Sequence, residues 1–493
     1  MLLIALMSQG LLRFAPSLLG LLAAAASLDC GGTSNPSISS QNPGPSYPVL
    51  DGASPVMWSD APFGGTAFIP HGVSLASDGT IRVAGTLSGE ATIGANTLGS
   101  AGGTDVLLSS LDAAGNVLWA RNYGDAKDQS ATSAIVDGQG NVIVAGTFAG
   151  TLDLRASAPV LESVTTSQIG MPGTSPITAV GLADAFVAKL DPLGNLLWST
   201  HLGSTATTTQ ARSLAMAANG TIALTGAFQS SREHGIGAPY AFVTLFDQAG
   251  NLQWDKSFGG EVAATGTSIA FGPKGDVLVS GTYEGAVDFG TGPLSTYGGL
   301  DVFVADLSAQ GATVWSEGFG GPLDDEAVGV AFDAAGNFIT LGNYTSSGDE
   351  HPIGRILVTK YSPSRSPLWS QRFGDANTAS ATALAVDSQG DVYLAGQVQL
   401  AFPFGACILA PTSADASGQA FVGQIDASGN AICGQRYGLG ASAEILSMVV
   451  DPLPGLLMAG DFQGAIDLGQ GTATAGATAG FVAREQPLPQ PLQ

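Results

Sequence analysis

All six tryptophans of the chain fall at one phase of an internal repeat: Trp58, Trp119, Trp198, Trp254, Trp315 and Trp369, with Cys433 taking the equivalent place a seventh time. Twenty-seven residues after Trp58, Trp119, Trp254, Trp315, Trp369 and Cys433 stands a glycine that ends an apolar run, namely Gly85, Gly146, Gly281, Gly342, Gly396 and Gly460; from Trp198 to Gly226 the gap is twenty-eight. Scattered core tryptophans would show no such phasing. A repeated supersecondary unit is therefore required, and it constrains the fold more than any other feature.

Between the markers the residues describe two hairpins. A short apolar run, a turn such as Asp137-Gly138-Gln139-Gly140 and a second run, Asn141-Val142-Ile143-Val144-Ala145-Gly146, make strands a and b. Gly79, Gly140, Gly220, Gly275, Gly336, Gly390 and Gly455 close these turns, where a tight hairpin asks for the positive φ that glycine adopts without strain. A third run such as Asp184-Ala185-Phe186-Val187-Ala188-Lys189-Leu190, the turn Asp191-Pro192-Leu193-Gly194 and the tryptophan run make strands c and d. From Asp105, Asp184, Tyr240, Asp301, Arg355 and Gln419 to the Trp or Cys position is fourteen residues each time, so both hairpins are length-locked. The b to c connection takes up the variation, from thirteen residues between Gly342 and Arg355 to thirty-eight between Gly146 and Asp184.

Four antiparallel strands per unit, joined by fixed turns, predict an all-β, seven-bladed β-propeller in which the tryptophans fill the space between blades. The seventh unit has strands a, b and c but no room for d before Gln493, whereas Val56–Gly64 around Trp58 is a d strand with no preceding a, b or c. The N-terminal strand is thus expected to complete the C-terminal blade, which removes the open edges of a linear array. Boundaries follow: 1–29 a signal peptide, 30–50 a flexible Ser/Pro/Gly tether, 51–484 the propeller and 485–493 a Pro/Gln-rich tail.

Residues 385–396 and 184–191 resemble the repeat of the seven-bladed β-propeller proteins of bacterial surfaces, Ala-Val-Asp-x-x-Gly-Asn-Val-Tyr followed by Gly and then Asp-Ala-Phe-Val-x-Lys-Leu-Asp. The resemblance covers about residues 56–484 and implies architecture more than activity, because one fold hosts many functions. Leu190–Trp198 is also similar to the tryptophan-docking motif of quinoprotein dehydrogenases and of outer-membrane assembly lipoproteins.

Charge and the N-terminus bear on location. Sixteen basic against forty acidic residues leave a formal net charge of -24, which repels phosphate backbones and argues against nucleic acid as a partner. Arg13 precedes an apolar run from Phe14 to Leu28 that is short for a bilayer span and reads as an export signal. It runs into Cys30, Gly31 and Gly32 in the manner of a bacterial lipoprotein signal, although Ser27 and Asp29 stand where an aliphatic and a small residue are usual. Lipidation at Cys30 and ordinary cleavage after the alanines are both open. The expected location is the outer membrane or cell surface, with the membrane reached only through the lipid. Cys407 and Cys433 lie within one repeat and are expected to pair in an oxidising compartment.

Catalytic patterns are hard to find. His71, His201, His234 and His351 stand at no metal-ligand spacing, no nucleophile-elbow, Walker or zincin pattern occurs, and no convergent arginine and carboxylates would place a quinone. The b to c and d to a loops share one face, and the latter supply Asp125, Asp128, Glu261, Asp324, Asp325, Glu326, Asp375 and Glu444. These acids are a candidate face for a cation, calcium first, or for a basic ligand. Their other reading is solvated loop acid, since no loop has the alternating carboxylates of a calcium site. The long connection from Thr151 to Ala183 reads as a recognition loop or as a tolerated insertion. Two functions are carried forward: a monomeric surface module that binds protein or polysaccharide, and a propeller enzyme such as a polysaccharide lyase, glycosidase or quinoprotein, or an outer-membrane assembly lipoprotein.

Overall fold

The computed structural model describes residues 56–60, 68–155, 173–232, 235–259, 262–346, 353–374, 379–410, 418–439, 442–451, 455–468 and 472–485. They form seven antiparallel sheets with strands in the order a-b-c-d. Strand a of blades 1 to 7 is Phe68–Leu75, Gln129–Val136, Thr207–Met216, Ala264–Phe271, Glu326–Phe332, Ala379–Val386 and Ser442–Asp451. In blade 7 the order closes as expected: Val56–Asp60 pairs antiparallel with Thr472–Glu485, placing Trp58 opposite Arg484 and Asp60 opposite Val482. That strand runs through Glu485, one residue beyond the boundary read from composition, because the Glu485 side chain is buried.

The turns follow from one local device. Asp137 Oδ1 accepts from the backbone N–H groups of Gln139 and Asn141, and the Asn141 amide donates to Oδ2, so the carboxylate holds a type I turn that ends in a left-handed residue. Gly79, Gly140, Gly220, Gly275, Gly336 and Gly390 have φ between 77° and 87°. Gly455 differs from the expectation: it opens strand b opposite Asp451 and is not in the left-handed region.

Seven hydrophobic clusters sit between successive blades, so the core is a ring of interblade seams rather than one centre. Phe68, Val73 and Leu107 of blade 1 pack on Leu457, Ala459 and Val482 of blade 7, sealing the ring where its two ends meet. Each strand a carries a bulge, and the residue after it is small: Gly72, Ser133, Ser213, Ser268, Gly329, Ala383 and Ser447. Three of those serines accept a backbone N–H from the next blade's strand a, at Leu214, Val330 and Val73.

The tryptophans tie the rim of the ring. Trp119, Trp198, Trp254 and Trp369 donate their indole N–H to Pro192, Gln248, Ala309 and Ala427, carbonyls in the c to d turn of the following blade, at 2.9 to 3.2 Å. A glycine lies under each ring, and a Cβ added at Gly194, Gly250, Gly311 or Gly429 would come within 2.6–3.2 Å of the indole. Blade 5 breaks the rule. Arg365 stands at the glycine position with φ 66° and pairs with Asp306 of blade 4 at 2.7 Å, and Trp315 makes no bond to that turn, packing on Phe338 instead.

The b to c connections are less elastic than their lengths suggest. Eight residues after the strand b glycine, Ile93, Leu154, Phe289, Phe404 and Leu468 are buried, accompanied two residues earlier by Ala91, Leu152, Val287, Phe402 and Ile466. In blade 6, Phe402–Phe404 and Cys407–Leu409 form a small hairpin that folds back onto strand d, where Cys407 and Cys433 are joined by a disulfide with Cα atoms 5.1 Å apart.

Candidate functional site

Antiparallel order puts the length-locked a–b and c–d turns on a lower face and the b–c and d–a connections on an upper face. The upper-face acids divide into two groups. Asp125 accepts from the N–H of Lys127 and Thr151 and from the Gln129 amide; Asp128 accepts from Thr104 N. Asp324 accepts from Leu300 N, and Asp325 from Gly321 N and Thr345 N. Asp128 and Asp324 are equivalent, each reaching from a d–a loop to the residue just before strand c. These four carboxylates tie upper-face segments together in two places, between blades 1 and 2 and between blades 4 and 5. Burial pushes the Asp325 carboxyl above its usual range, and the two backbone donors pull the other way.

Glu326 and Glu444 are placed differently. Each immediately precedes the strand a residue that faces the strand b glycine, the register shared by Ile69, Ser130, Gln210, Thr265 and Ser380, so they occupy the same place near the upper end of strand a. Glu326 accepts from the Asn343 amide. Glu444 lies opposite Asp461 on strand b, a residue that motif reading passed over because it belongs to no loop. Burial raises the Glu444 carboxyl, with help from Asp461 and then Glu326, and burial raises Asp461. Among the described residues, no three His, Cys, Asp or Glu side chains converge closely enough to hold a metal ion. Glu261, Asp375 and Cys30 lie outside the described residues.

His201, which stands at no metal-ligand spacing in the sequence, has a structural task. Its Nδ1 meets Asp184 Oδ2 at 2.9 Å in a buried pair, and Asp184 also accepts from Val180 N and Gly181 N at the start of strand c. Asn122 and Asp105 make the same link in blade 1, at the same separation of 17 residues. The pair fixes a strand entry, and that recurring spacing was its available signal.

The molecule is therefore a seven-bladed β-propeller closed by its N-terminal strand, with carboxylates that tie upper-face segments at blades 1–2 and 4–5 and with Glu326 and Glu444 near the upper ends of their strands a. No family model matches the chain. The regulatory protein FlaEY of Caulobacter vibrioides is 25% identical over 192 residues, which cover 36% of this chain and 20% of that protein, so the chain matches only about a fifth of that relative's length. Among solved structures, the β-propeller domain of the Trilobed protease from Pyrococcus furiosus is 9% identical, with 86% of this chain and 97% of that chain covered and a TM-score of 0.41. Polysaccharide lyase Uly1 is 11% identical, with 86% and 90% covered and a TM-score of 0.44.

Proposed function

We propose that this propeller is a member of the bacterial surface repeat proteins, exported and lipid-anchored at Cys30, and that it works as a monomeric binding or scaffold module for a protein or polysaccharide. The observation that carries the reading is the pair of carboxylate ties. Asp125, Asp128, Asp324 and Asp325 hold backbone N–H groups in place, so around blades 1–2 and 4–5 the upper face offers tied-down segments, and recognition there loses less entropy to ordering. Beyond their buried anchors the b–c connections differ from blade to blade on a constant scaffold, the usual arrangement for recognition. The export signal and the tether that follows it suit display at a surface. The test uses the full chain as bait for envelope proteins and for an array of polysaccharides, with loop chimeras as controls. Capture that survives exchange of every upper-face loop would sink the reading. Mass spectrometry of the mature N-terminus and fractionation of Cys30→Ala test the anchor: the variant should leave the membrane fraction.

One observation favours an enzyme as the second reading. Glu444 and Asp461 are cross-strand neighbours near the upper end of blade 7 whose carboxyl groups burial raises, as a general acid and its partner require. Hydrolysis or elimination of a polysaccharide by the full chain, abolished in Glu444→Gln, would establish it. No turnover of the polysaccharides captured on the array would leave the binding reading alone.

A further inference from the structure

We propose that the seam between blades 4 and 5 is a carbohydrate subsite for a neutral pyranose unit, an inference that rests on the binding reading and assigns its ligand class. Among the described residues this seam has the smallest of the seven hydrophobic clusters, Leu278, Val304, Val330, Phe338 and Tyr361, and it lacks the tryptophan-to-turn bond described above. It holds a cavity of about 450 Å3, within the range of small-ligand sites. Tyr297, Phe319 and Tyr344 supply aromatic surface, with Glu317, Asp325 and Arg372 around them.

Two changes within the repeat leave charges available in this cavity. Two residues after the tryptophan, Arg121 and Gln371 donate to the carbonyls of Gly194 and Gly429 and close the seams after blades 1 and 5. Glu317 holds that position in blade 4, and an ionised carboxylate has no proton to donate to a carbonyl. Three residues after the tryptophan or its replacement, Asn122, His201 and Arg436 bond to Asp105, Asp184 and Gln419 at the start of strand c. Arg372 holds that position in blade 5, where strand c has Arg355 in place of an acceptor. Among the described residues, neither Glu317 nor Arg372 forms an ion pair or a hydrogen bond with the protein, although both line one cavity.

A sugar suits that pair. Its hydroxyls donate to Glu317 and accept from Arg372 together, and its C–H face lies on an aromatic ring such as Tyr297, which is 51% exposed. Arg372 disfavours a simple cation, and Glu317 with Asp325 disfavours an anion. The rim is already ordered: Tyr297 N donates to Asp301 at 2.8 Å, and Asp325, a positioning residue, holds Gly321 and Thr345.

The test titrates the full chain by calorimetry with cellohexaose, maltohexaose and chitohexaose, and with L-phenylalanine as a zwitterion. At least one hexasaccharide should bind, and Tyr297→Ala and Glu317→Gln should each weaken it about tenfold, with the lower-face variant Lys274→Ala unchanged. Far-UV circular dichroism should superimpose for all variants, since neither side chain makes an internal bond. A hexasaccharide that binds both seam variants as tightly as the parent overturns the subsite and leaves the surface-binding reading standing. Binding of phenylalanine alone overturns the ligand class. Failure of all three hexasaccharides overturns the inference, and envelope capture then decides the broader reading separately.

Discussion

Replacing Glu485 with glutamine should make the protein more stable at alkaline pH and change the pH dependence of its unfolding. Glu485 ends the strand onto which the N-terminal segment zips; it is fully buried and accepts a hydrogen bond at Oε2 from Tyr437 of blade 6, while Oε1 has no partner. Burial, opposed by the Tyr437 bond, raises its carboxyl from 4.5 to about 7. The folded state therefore keeps a proton that the unfolded chain releases, and stability falls as pH rises between those two values and levels off above the higher one. With about 1.4 kcal/mol per pH unit, the loss between pH 5 and pH 8 comes to about 2.5 kcal/mol. A glutamine side chain cannot ionise there, and its carbonyl can still accept from Tyr437. Urea unfolding followed by tryptophan fluorescence should show the advantage of Glu485→Gln over wild type growing by about 2.5 kcal/mol from pH 5 to pH 8. Subtracting the two proteins cancels the titration of Asp325, Glu444 and Asp461. A difference that stays flat across that range would refute the reasoning.

Three further outcomes follow from packing and chain connectivity. Gly146→Ala would place a methyl 1.9 Å from the Ser130 carbonyl oxygen, so it should cost about 3 kcal/mol or more in urea denaturation, whereas Gly138→Ala, with nothing within 4 Å, should cost far less. Replacing Cys407 and Cys433 with serine frees a loop with a sequence separation of 26 and should lower stability by about 3 kcal/mol, matched by adding reductant to the parent protein. Removing residues 1–60 strips strand d from blade 7 and bares the edge of Thr472–Glu485, so light scattering should report association beyond that of the full chain.

Much of this architecture was legible because a propeller blade is local. The phase from tryptophan to glycine, the fourteen-residue c to d unit and the orphan strand at Trp58 all come from bonds between neighbouring strands, and the structure places each where the spacing put it. The buried anchors eight residues past five of the strand b glycines were also written in the spacing, at Ile93, Leu154, Phe289, Phe404 and Leu468, but differing loop lengths hid them. Gly455 shows the limit of local rules, because strand b of blade 7 begins at that glycine, whereas in the other six blades it begins after the corresponding glycine.

The candidate site was less legible. Asp128 and Glu444 look alike in sequence as upper-face acids, yet one is tied to Thr104 N and the other lies opposite Asp461 across strands a and b of blade 7. Glu317 and Arg372 lie 55 residues apart as ordinary rim residues (372 − 317), and only the curvature of the ring brings them into one cavity. Periodicity alone determined the blade, the number of blades and the way the circle closes, because strand pairing and turn chirality act over a few residues. Which carboxylates are occupied by backbone donors, which are raised by burial and which charges remain for a ligand were decided by the tertiary structure, because those properties depend on what the neighbouring blade presents.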